Sequence, residues 1–191
     1  MKIWNYRYSA QKQITHCGFT IIEFMAVIAI TAILATASIP SYSSYLSDRK
    51  IQLTQQSIFS TLRQIRLQAI TQAQSIVMCS SVDQISCSKN TNSKDWSAGW
   101  IVFVDLNNNK KRDVKNEDIL ILQSINKNQN IVWNRGGYLV YNYEGKVNQN
   151  GSFFICAVAD VESEKSRSII INRVGRPYLS KLTSNDKLIV C

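Results

Sequence analysis

Residues 18–39, GFTIIEFMAVIAITAILATASI, decide how the rest of the chain is read. From Phe19 to Ile39 the only ionisable side chain is that of Glu23. With a rise of about 1.5 Å per residue, a helix of these residues would span about 32 Å, enough to cross the hydrocarbon core of a bilayer. A carboxylate in the middle of a membrane costs roughly 2.5–3.5 kcal/mol. Glu23 therefore either lies at headgroup level near the end of the span or has a functional partner inside the membrane.

The residues that precede this stretch have a different composition. Residues 1–18 contain Lys2, Arg7 and Lys12, no acidic residue, and no apolar run of the kind found in a secretory signal peptide. Positive charge before a membrane span indicates that the N-terminus stays in the cytoplasm. We therefore predict a short leader, residues 1–18, and then a transmembrane helix, residues 19–40, with the remaining chain on the other side of the membrane.

Beyond Pro40 the apolar residues follow a helical stripe. Because proline removes one hydrogen bond of a helix, we expect a kink near this position. The stripe then recurs every three, four or seven residues, which is the spacing of one helix face. Its members are Ile51, Ile58, Leu62, Ile65 and Ala69. The sequence predicts that the helix continues as an amphipathic segment over residues 41–74, with its apolar face packed on a sheet.

After residue 75 the pattern changes to short runs rich in β-branched and aromatic residues. Turn-forming pairs such as Gly136-Gly137 and Asn150-Gly151 separate the runs. The runs are residues 76–79, 100–104, 119–122, 138–141, 152–156 and 168–171. The predicted fold class is α+β: a long N-terminal helix with a transmembrane half and an amphipathic half, packed on a mostly antiparallel head of six or seven strands in residues 75–191.

The block from Gly18 to Ile30 resembles the processing and assembly signature of type IV pilins and type II secretion pseudopilins. The resemblance implies that a prepilin peptidase cuts after Gly18, that Phe19 is then N-methylated, and that Glu23 meets the N-terminal amine of a neighbouring subunit. Such an amine would supply the cation that a buried carboxylate needs, and the helix dipole also favours the anion. The family usually has Lys or Arg directly before the glycine, where this chain has residues 15–17, Thr-His-Cys.

A second resemblance lies in the predicted head. Residues 96–105, WSAGWIVFVD, followed by Asn107 and Asn109, are similar to the W-x-x-G-W-x-V-F-x-D-x-N segment of the GspH/FimT branch of minor pilins and pseudopilins. The likeness implies a β-sandwich-like head packed on the helix. It also implies a location in the bacterial inner membrane, single-pass, with a periplasmic head, and then in the pilus or pseudopilus after assembly.

Two functions follow from this second resemblance. The first is that of a FimT-like minor type IV pilin in pilus biogenesis. The alternative is that of a GspH-like minor pseudopilin of type II secretion, whose head contacts other pseudopilins. A membrane-anchored binding domain that never assembles would require neither Glu23 nor a cleavable Gly18, so we do not favour that third class.

Cysteine usage indicates the compartment. The chain has five cysteines, and removal of the leader takes away Cys17. The other four can pair in three ways. Cys79 and Cys87 enclose a short polar loop, while Cys191 can tie back to a strand at Cys156, so we predict these two disulfides and an oxidising compartment such as the periplasm. A zinc site would need closer ligand pairs and usually histidine, and the single histidine lies in the leader. We predict no metal and no cofactor.

The loop from Asp105 to Asp113 has oxygen-bearing side chains at alternate positions, as calcium loops do. However, Lys110 stands where an EF-hand has its glycine, and Asn116 stands where it has its bidentate glutamate. Three successive cations at residues 110–112 also oppose a divalent ion. We therefore favour an asparagine-rich turn over a calcium site.

The chain is strongly basic. Its formal charge is +9, and loss of the three cations of the leader leaves +6. One basic cluster consists of Lys110, Lys111, Arg112 and Lys115. The other consists of Arg167, Arg173, Arg176, Lys181 and Lys187. For either cluster a solvated face without a partner is the alternative to an acidic partner.

The second cluster carries a further resemblance. Gly175-Arg176-Pro177-Tyr178 matches the first half of the G-R-x-R motif of DNA-binding FimT-like pilins, with Tyr178 in place of the second arginine. Tyrosine can stack on a base or bond a phosphate, and Arg173 adds charge three residues before Arg176. The resemblance implies salt-sensitive binding of extracellular double-stranded DNA during natural transformation. The predicted contacts are Arg167, Arg173, Arg176, Tyr178 and Lys181.

Catalysis finds no support in the sequence. The acidic residues are scattered, His16 belongs to the leader, and no serine has the context of a nucleophile elbow. We predict that the protein is not an enzyme. Its predicted partners are the prepilin peptidase, other pilins or pseudopilins, the inner membrane and double-stranded DNA.

Overall fold

A computed structural model describes residues 18–90, 93–125, 129–157 and 165–189. The leader, apart from Gly18, and Cys191 lie outside these residues. Contacts divide the chain into two units, Met1–Ser43 and Ser44–Cys191. Helix α1 (Ile21–Gln72) includes Pro40, so the helix does not end at the proline. Among the described residues, no helix has the length and apolarity that a membrane span requires.

The N-terminal end of α1 is capped by its own sequence. The Glu23 backbone N–H donates to Thr20 Oγ1 at 3.3 Å. Thr20 is thus the N-cap, and Glu23 occupies the third helical position, as in a capping box. Further along, the Thr31 hydroxyl donates to the Val27 carbonyl at 2.9 Å, so this polar group is satisfied inside the helix.

The C-terminal end of α1 closes in a Schellman motif. The Gln74 N–H bonds the Ala69 carbonyl at 3.2 Å, and the Ala73 N–H bonds the Ile70 carbonyl at 3.4 Å. Ala73 has a φ of 51°, in the left-handed region that glycine favours at this position. The helix therefore stops two residues before the predicted residue 74.

Two four-stranded antiparallel sheets follow. The first, sheet A, has the order β3 (Ile119–Ser124), β2 (Gly99–Val104), β1 (Ile76–Ser80), β5 (Tyr138–Tyr141). The second, sheet B, has the order β4 (Gln129–Trp133), β6 (Gly151–Ala157), β7 (Arg167–Ile171), β8 (Pro177–Ser180). The α+β class is confirmed. The described residues contain eight strands, and β4 and β8 are absent from the six predicted runs.

The main core lies between the helix and the two sheets. All five members of the predicted helical stripe are buried and belong to one apolar cluster with strand residues of both sheets. Phe153 joins the aromatic part of this cluster, because its ring stacks on Trp133 at a centroid distance of 4.5 Å and meets Trp96 edge-on at 5.1 Å. Aromatic contacts of this kind add to the stabilisation that burial provides.

A second, smaller cluster covers sheet A on another face. It contains Val77, Cys79, Ile101, Phe103 and Val140. Because neighbouring strand residues alternate between the two faces of a sheet, Val77 and Cys79 face away from the core residues Ile76 and Met78. Cys87, Ile119 and Tyr138 pack against this smaller cluster. Strand β1 is therefore buried on both faces.

Candidate functional site

The residues predicted for processing lie at the start of the described chain. Gly18 has open space where a Cβ would stand, and Phe19 is 86% exposed. Apolar side chains remain exposed over the first turns of α1, including Ile21, Ile22 and Phe24. Within the described chain, Gly18 and Phe19 are therefore exposed, and the apolar surface that follows them has no cover.

The predicted DNA-binding motif forms a tight turn between β7 and β8. The Asn172 side-chain oxygen accepts a hydrogen bond from the Arg176 N–H at 2.9 Å, and the Gly175 N–H bonds the Asn172 carbonyl at 2.9 Å. Gly175 has a φ of +76°, and a Cβ there would lie 2.1 Å from the Gly145 carbonyl oxygen. The close approach of two backbones requires glycine. Arg173 and Arg176 are exposed at this turn.

Side chains of helix α1 and strand β5 form hydrogen bonds to this turn and to the neighbouring Gly145. Arg66 donates through Nε to the Gly145 carbonyl at 3.0 Å and through a terminal nitrogen to the Val174 carbonyl at 3.3 Å. The Tyr141 hydroxyl donates to the Gly175 carbonyl at 3.0 Å. Burial raises the pKa of Tyr141 above its ordinary value, against a lowering effect of the Arg66 charge, so the phenol stays a donor at neutral pH.

An open groove of about 760 Å³ runs beside the same turn. Three arginines line it: Arg63 and Arg66 from α1, and Arg176 from the turn. The Arg63 guanidinium lies 5.7 Å from the centre of the Phe59 ring. Sequence reasoning assigned no function to Arg63 and Arg66. Their spacing of three places them on one side of the helix, but only the fold shows which segment lies opposite.

The other predicted DNA contacts do not form one set. Tyr178 and Lys181 are exposed. Arg167, in contrast, is 8% exposed, and its guanidinium pairs with the Asp48 carboxylate at 2.8 Å. It also donates to the Lys165 and Ser166 carbonyls. The pair with Asp48 joins β7 to the helix, so the structure removes Arg167 from the exposed basic surface.

Two of the four predicted disulfide cysteines are joined within the described chain. The Cys79–Cys87 disulfide closes the loop that covers sheet A. Cys156 is also disulfide-bonded, and its predicted partner, Cys191, lies outside the described residues.

The predicted turn at residues 105–113 uses its oxygens on its own backbone. Asp105 accepts hydrogen bonds from the N–H groups of Asn109 at 3.1 Å and Lys110 at 3.0 Å. The buried Glu117 carboxylate accepts from the N–H groups of Leu106 at 2.9 Å and Asp113 at 2.7 Å. Within the described ranges, no group of three or more His, Cys, Asp or Glu side chains is placed to hold a metal ion.

Comparison with known proteins gives two family matches. Residues 54–175 match the model described as type II transport protein GspH, and residues 15–39 match the prokaryotic N-terminal methylation motif. A search of curated proteins found no match. Three solved structures match the chain: two are of a minor pilin and one is of a minor pseudopilin.

Two of these structures are crystal forms of the type IV minor pilin FimU of Pseudomonas aeruginosa. They share 16% and 15% sequence identity with this chain, with TM-scores of 0.51 and 0.53. The alignments cover 68% and 71% of this chain, and 91% and 92% of FimU. The minor pseudopilin EpsH of the Vibrio cholerae type 2 secretion system shares 13% identity with a TM-score of 0.49, over 69% of this chain and 96% of EpsH. At these identities the likeness to FimU shows the fold alone. Because the GspH model matches more than half of the residues, the chain belongs to the GspH family of pilin-like proteins.

Proposed function

We propose that this protein is a minor type IV pilin whose head binds double-stranded DNA. In this proposal the prepilin peptidase cuts after Gly18, Phe19 is N-methylated, and the protein resides in the inner membrane as a single-pass protein with a periplasmic head. The support is the methylation-motif match over residues 15–39 and the apolar sequence of residues 19–39. Glu23 pairs with the N-terminal amine of a neighbouring subunit after assembly.

The observation that carries DNA binding is the groove in which Arg63 of the helix faces the same space as Arg176 of the turn. Arg173 adds a cation to that turn, and the exposed Tyr178 follows on β8. Among the described residues no carboxylate forms an ion pair with Arg63, Arg173 or Arg176. Arginines without an acidic partner at the groove and its turn suit phosphate contacts, which are independent of base sequence and weaken as salt rises.

Fluorescence anisotropy with labelled duplex DNA tests this proposal on the full chain in detergent at low salt. We expect the Arg173→Ala, Arg176→Ala variant to bind at least about tenfold more weakly, because two charge-assisted phosphate contacts are lost. The Lys94→Ala, Lys115→Ala variant removes the same charge at exposed positions elsewhere and should bind as the wild type does. Equal binding by the two variants, or none by the wild type, would refute DNA recognition at the turn.

Assembly is tested separately. A Glu23→Ala variant should enter filaments at less than about a tenth of the wild-type level, because the neighbouring amine would lose its partner in a low-dielectric environment. Immunoblotting of sheared filaments measures this quantity, and mass spectrometry of the same sample shows whether the leader has been removed. A variant that assembles normally would exclude the proposed pairing.

A minor pseudopilin of type II secretion is the second candidate, because the family model that matches residues 54–175 describes a type II transport protein. In that case the head contacts other pseudopilins and not DNA. Cross-linking in cells distinguishes the two: pilins are the expected neighbours under the first proposal, and pseudopilins are expected under the second.

A further inference from the structure

A second basic site lies on a different part of the head. Three segments enclose a pocket of about 350 Å³: the end of the disulfide loop, residues 110–112 of the β2–β3 connection, and the start of β5. Lys89, Lys110, Lys111 and Arg112 line it together with serines and Tyr138, and none of the lining residues is acidic. The pocket is thus concave, of the size of a small-ligand site, and positively charged.

Bonds between the segments fix the pocket wall. The Cys79–Cys87 disulfide anchors the loop to β1. The Ser80 N–H donates to the Gly137 carbonyl at 3.0 Å, which joins the same strand end to the residue before Tyr138. Arg112 donates to the Ile85 carbonyl at 2.7 Å and to the Glu117 carbonyl at 3.0 Å, so it joins the disulfide loop to the β2–β3 connection. A ligand would therefore meet a wall that is already assembled.

The positive charge of the pocket is not cancelled by neighbouring acids. Asp83 accepts hydrogen bonds from Ser81, Ile85 and Ser86 of its own loop. Asp105 and Glu117 accept hydrogen bonds from backbone N–H groups of the β2–β3 connection. Within the part of the chain that the structure describes, no carboxylate lies within ion-pair distance of the three pocket lysines. Lys110 lies over the Tyr138 ring, 5.8 Å from its centre, which places one ammonium at the aromatic wall.

We propose that this pocket binds a phosphate-type oxyanion group. Three ammonium groups and the free N–H groups of Arg112 supply the donors that such an anion needs. The phosphate group comes from a small phosphomonoester or from a nucleic acid backbone. The pocket is distinct from the arginine groove, since the two share no lining residue.

Isothermal titration of the full chain in detergent, with inorganic phosphate and then glucose 6-phosphate as probes, tests this proposal. The wild type should bind, and a Lys110→Gln, Lys111→Gln variant should bind at least about tenfold more weakly, because two charged donors are removed. The Lys50→Gln, Lys94→Gln control variant loses the same charge at exposed positions outside the pocket and the groove, and it should bind phosphate as the wild type does. Matching thermal unfolding curves will show that all three proteins are folded.

Equal phosphate binding by the Lys110→Gln, Lys111→Gln variant and the control variant would overturn the proposal, because the attraction would then be a property of net charge alone. The absence of phosphate binding by the folded wild type would overturn it as well. A competition arm assigns the source of the anion: duplex DNA that displaces phosphate from the wild type indicates the nucleic acid backbone, and DNA that does not displace it indicates a small molecule. Both competition results support an oxyanion pocket, and neither depends on DNA binding at the groove.

Discussion

The two apolar stretches of helix α1 differ in what covers them. In the first, residues 21–34, large apolar side chains are exposed around the helix, and Phe24 is 63% exposed. In the second, residues 51–69, the stripe is confined to one face, and Leu62 is fully buried. An apolar surface on all sides is typical of a segment that a membrane or other subunits cover. The second stretch therefore contributes to the core of the head, whereas the first keeps an apolar surface that no described residue covers.

The largest effect should come from the buried stretch. Leu62→Ala is expected to lower the free energy of unfolding by about 3 kcal/mol, because it leaves a cavity between the helix and the sheets. The matched control is Leu67→Ala on the same helix, where the side chain is 62% exposed and the expected change is within about 0.5 kcal/mol. Chemical denaturation of the full chain in detergent measures both values. Similar losses in the two variants would mean that the stripe does not carry the stability of the head.

The second apolar face of sheet A is also covered by the chain itself, in this case by the disulfide loop. A Cys79→Ser, Cys87→Ser variant should lose about 2–3 kcal/mol, since the unfolded chain would no longer be constrained by the short disulfide-closed loop. Limited proteolysis should then cut within residues 80–90, where the wild type resists. If cleavage and unfolding are unchanged, the apolar contacts of the small cluster hold the loop without the disulfide.

The features that the sequence predicted are those that depend on local periodicity. The stripe from Ile51 to Ala69 and six of the strands follow from spacing and residue type, and spacing also indicated the short loop that Cys79 and Cys87 close. Strand β4 begins with Gln129 and Asn130, and β8 begins with Pro177, which is tolerated as the first residue of an edge strand. Such residues are typical of turns, so a local pattern does not reveal these two strands.

The candidate sites were harder to predict, because they depend on which segments meet. Arg167 stands in a basic cluster of the sequence, yet it pairs with Asp48, 119 residues away in the chain. Arg63 and Arg176 are also far apart in sequence, yet they line one groove. Charge alone cannot distinguish an arginine that joins two elements from one that faces solvent. That distinction requires the tertiary structure.

The C-terminal end of α1 offers a smaller test of the same helix. Ala73 adopts a left-handed conformation that costs an alanine about 1 kcal/mol more than a glycine. Ala73→Gly should therefore raise the free energy of unfolding by about 1 kcal/mol, while Ala73→Val should lower it, because a β-branched residue is strained at positive φ. Denaturation curves of the two variants check the sign. A stabilising valine would contradict the observed geometry.

The smallest effect concerns the loop that covers sheet A, and it depends on pH. Hydrogen bonds from Ser86, first its hydroxyl and then its N–H, and from the Ile85 N–H hold the pKa of Asp83 below its ordinary value. Because the folded-state pKa is depressed, the stabilisation is present above the ordinary aspartate pKa of about 3.9 and is lost as the pH falls below it. The side chain is exposed, so solvent screening keeps the contribution small.

The melting temperature of the wild type should therefore exceed that of Asp83→Asn at pH 6, and the difference should shrink towards pH 3. Ser86→Ala removes the hydrogen bond that lowers the pKa of Asp83 most, so at pH 6 this variant should melt closer to Asp83→Asn than the wild type does. A gap between the wild type and Asp83→Asn that is constant with pH would show that Asp83 acts through its shape and not its charge.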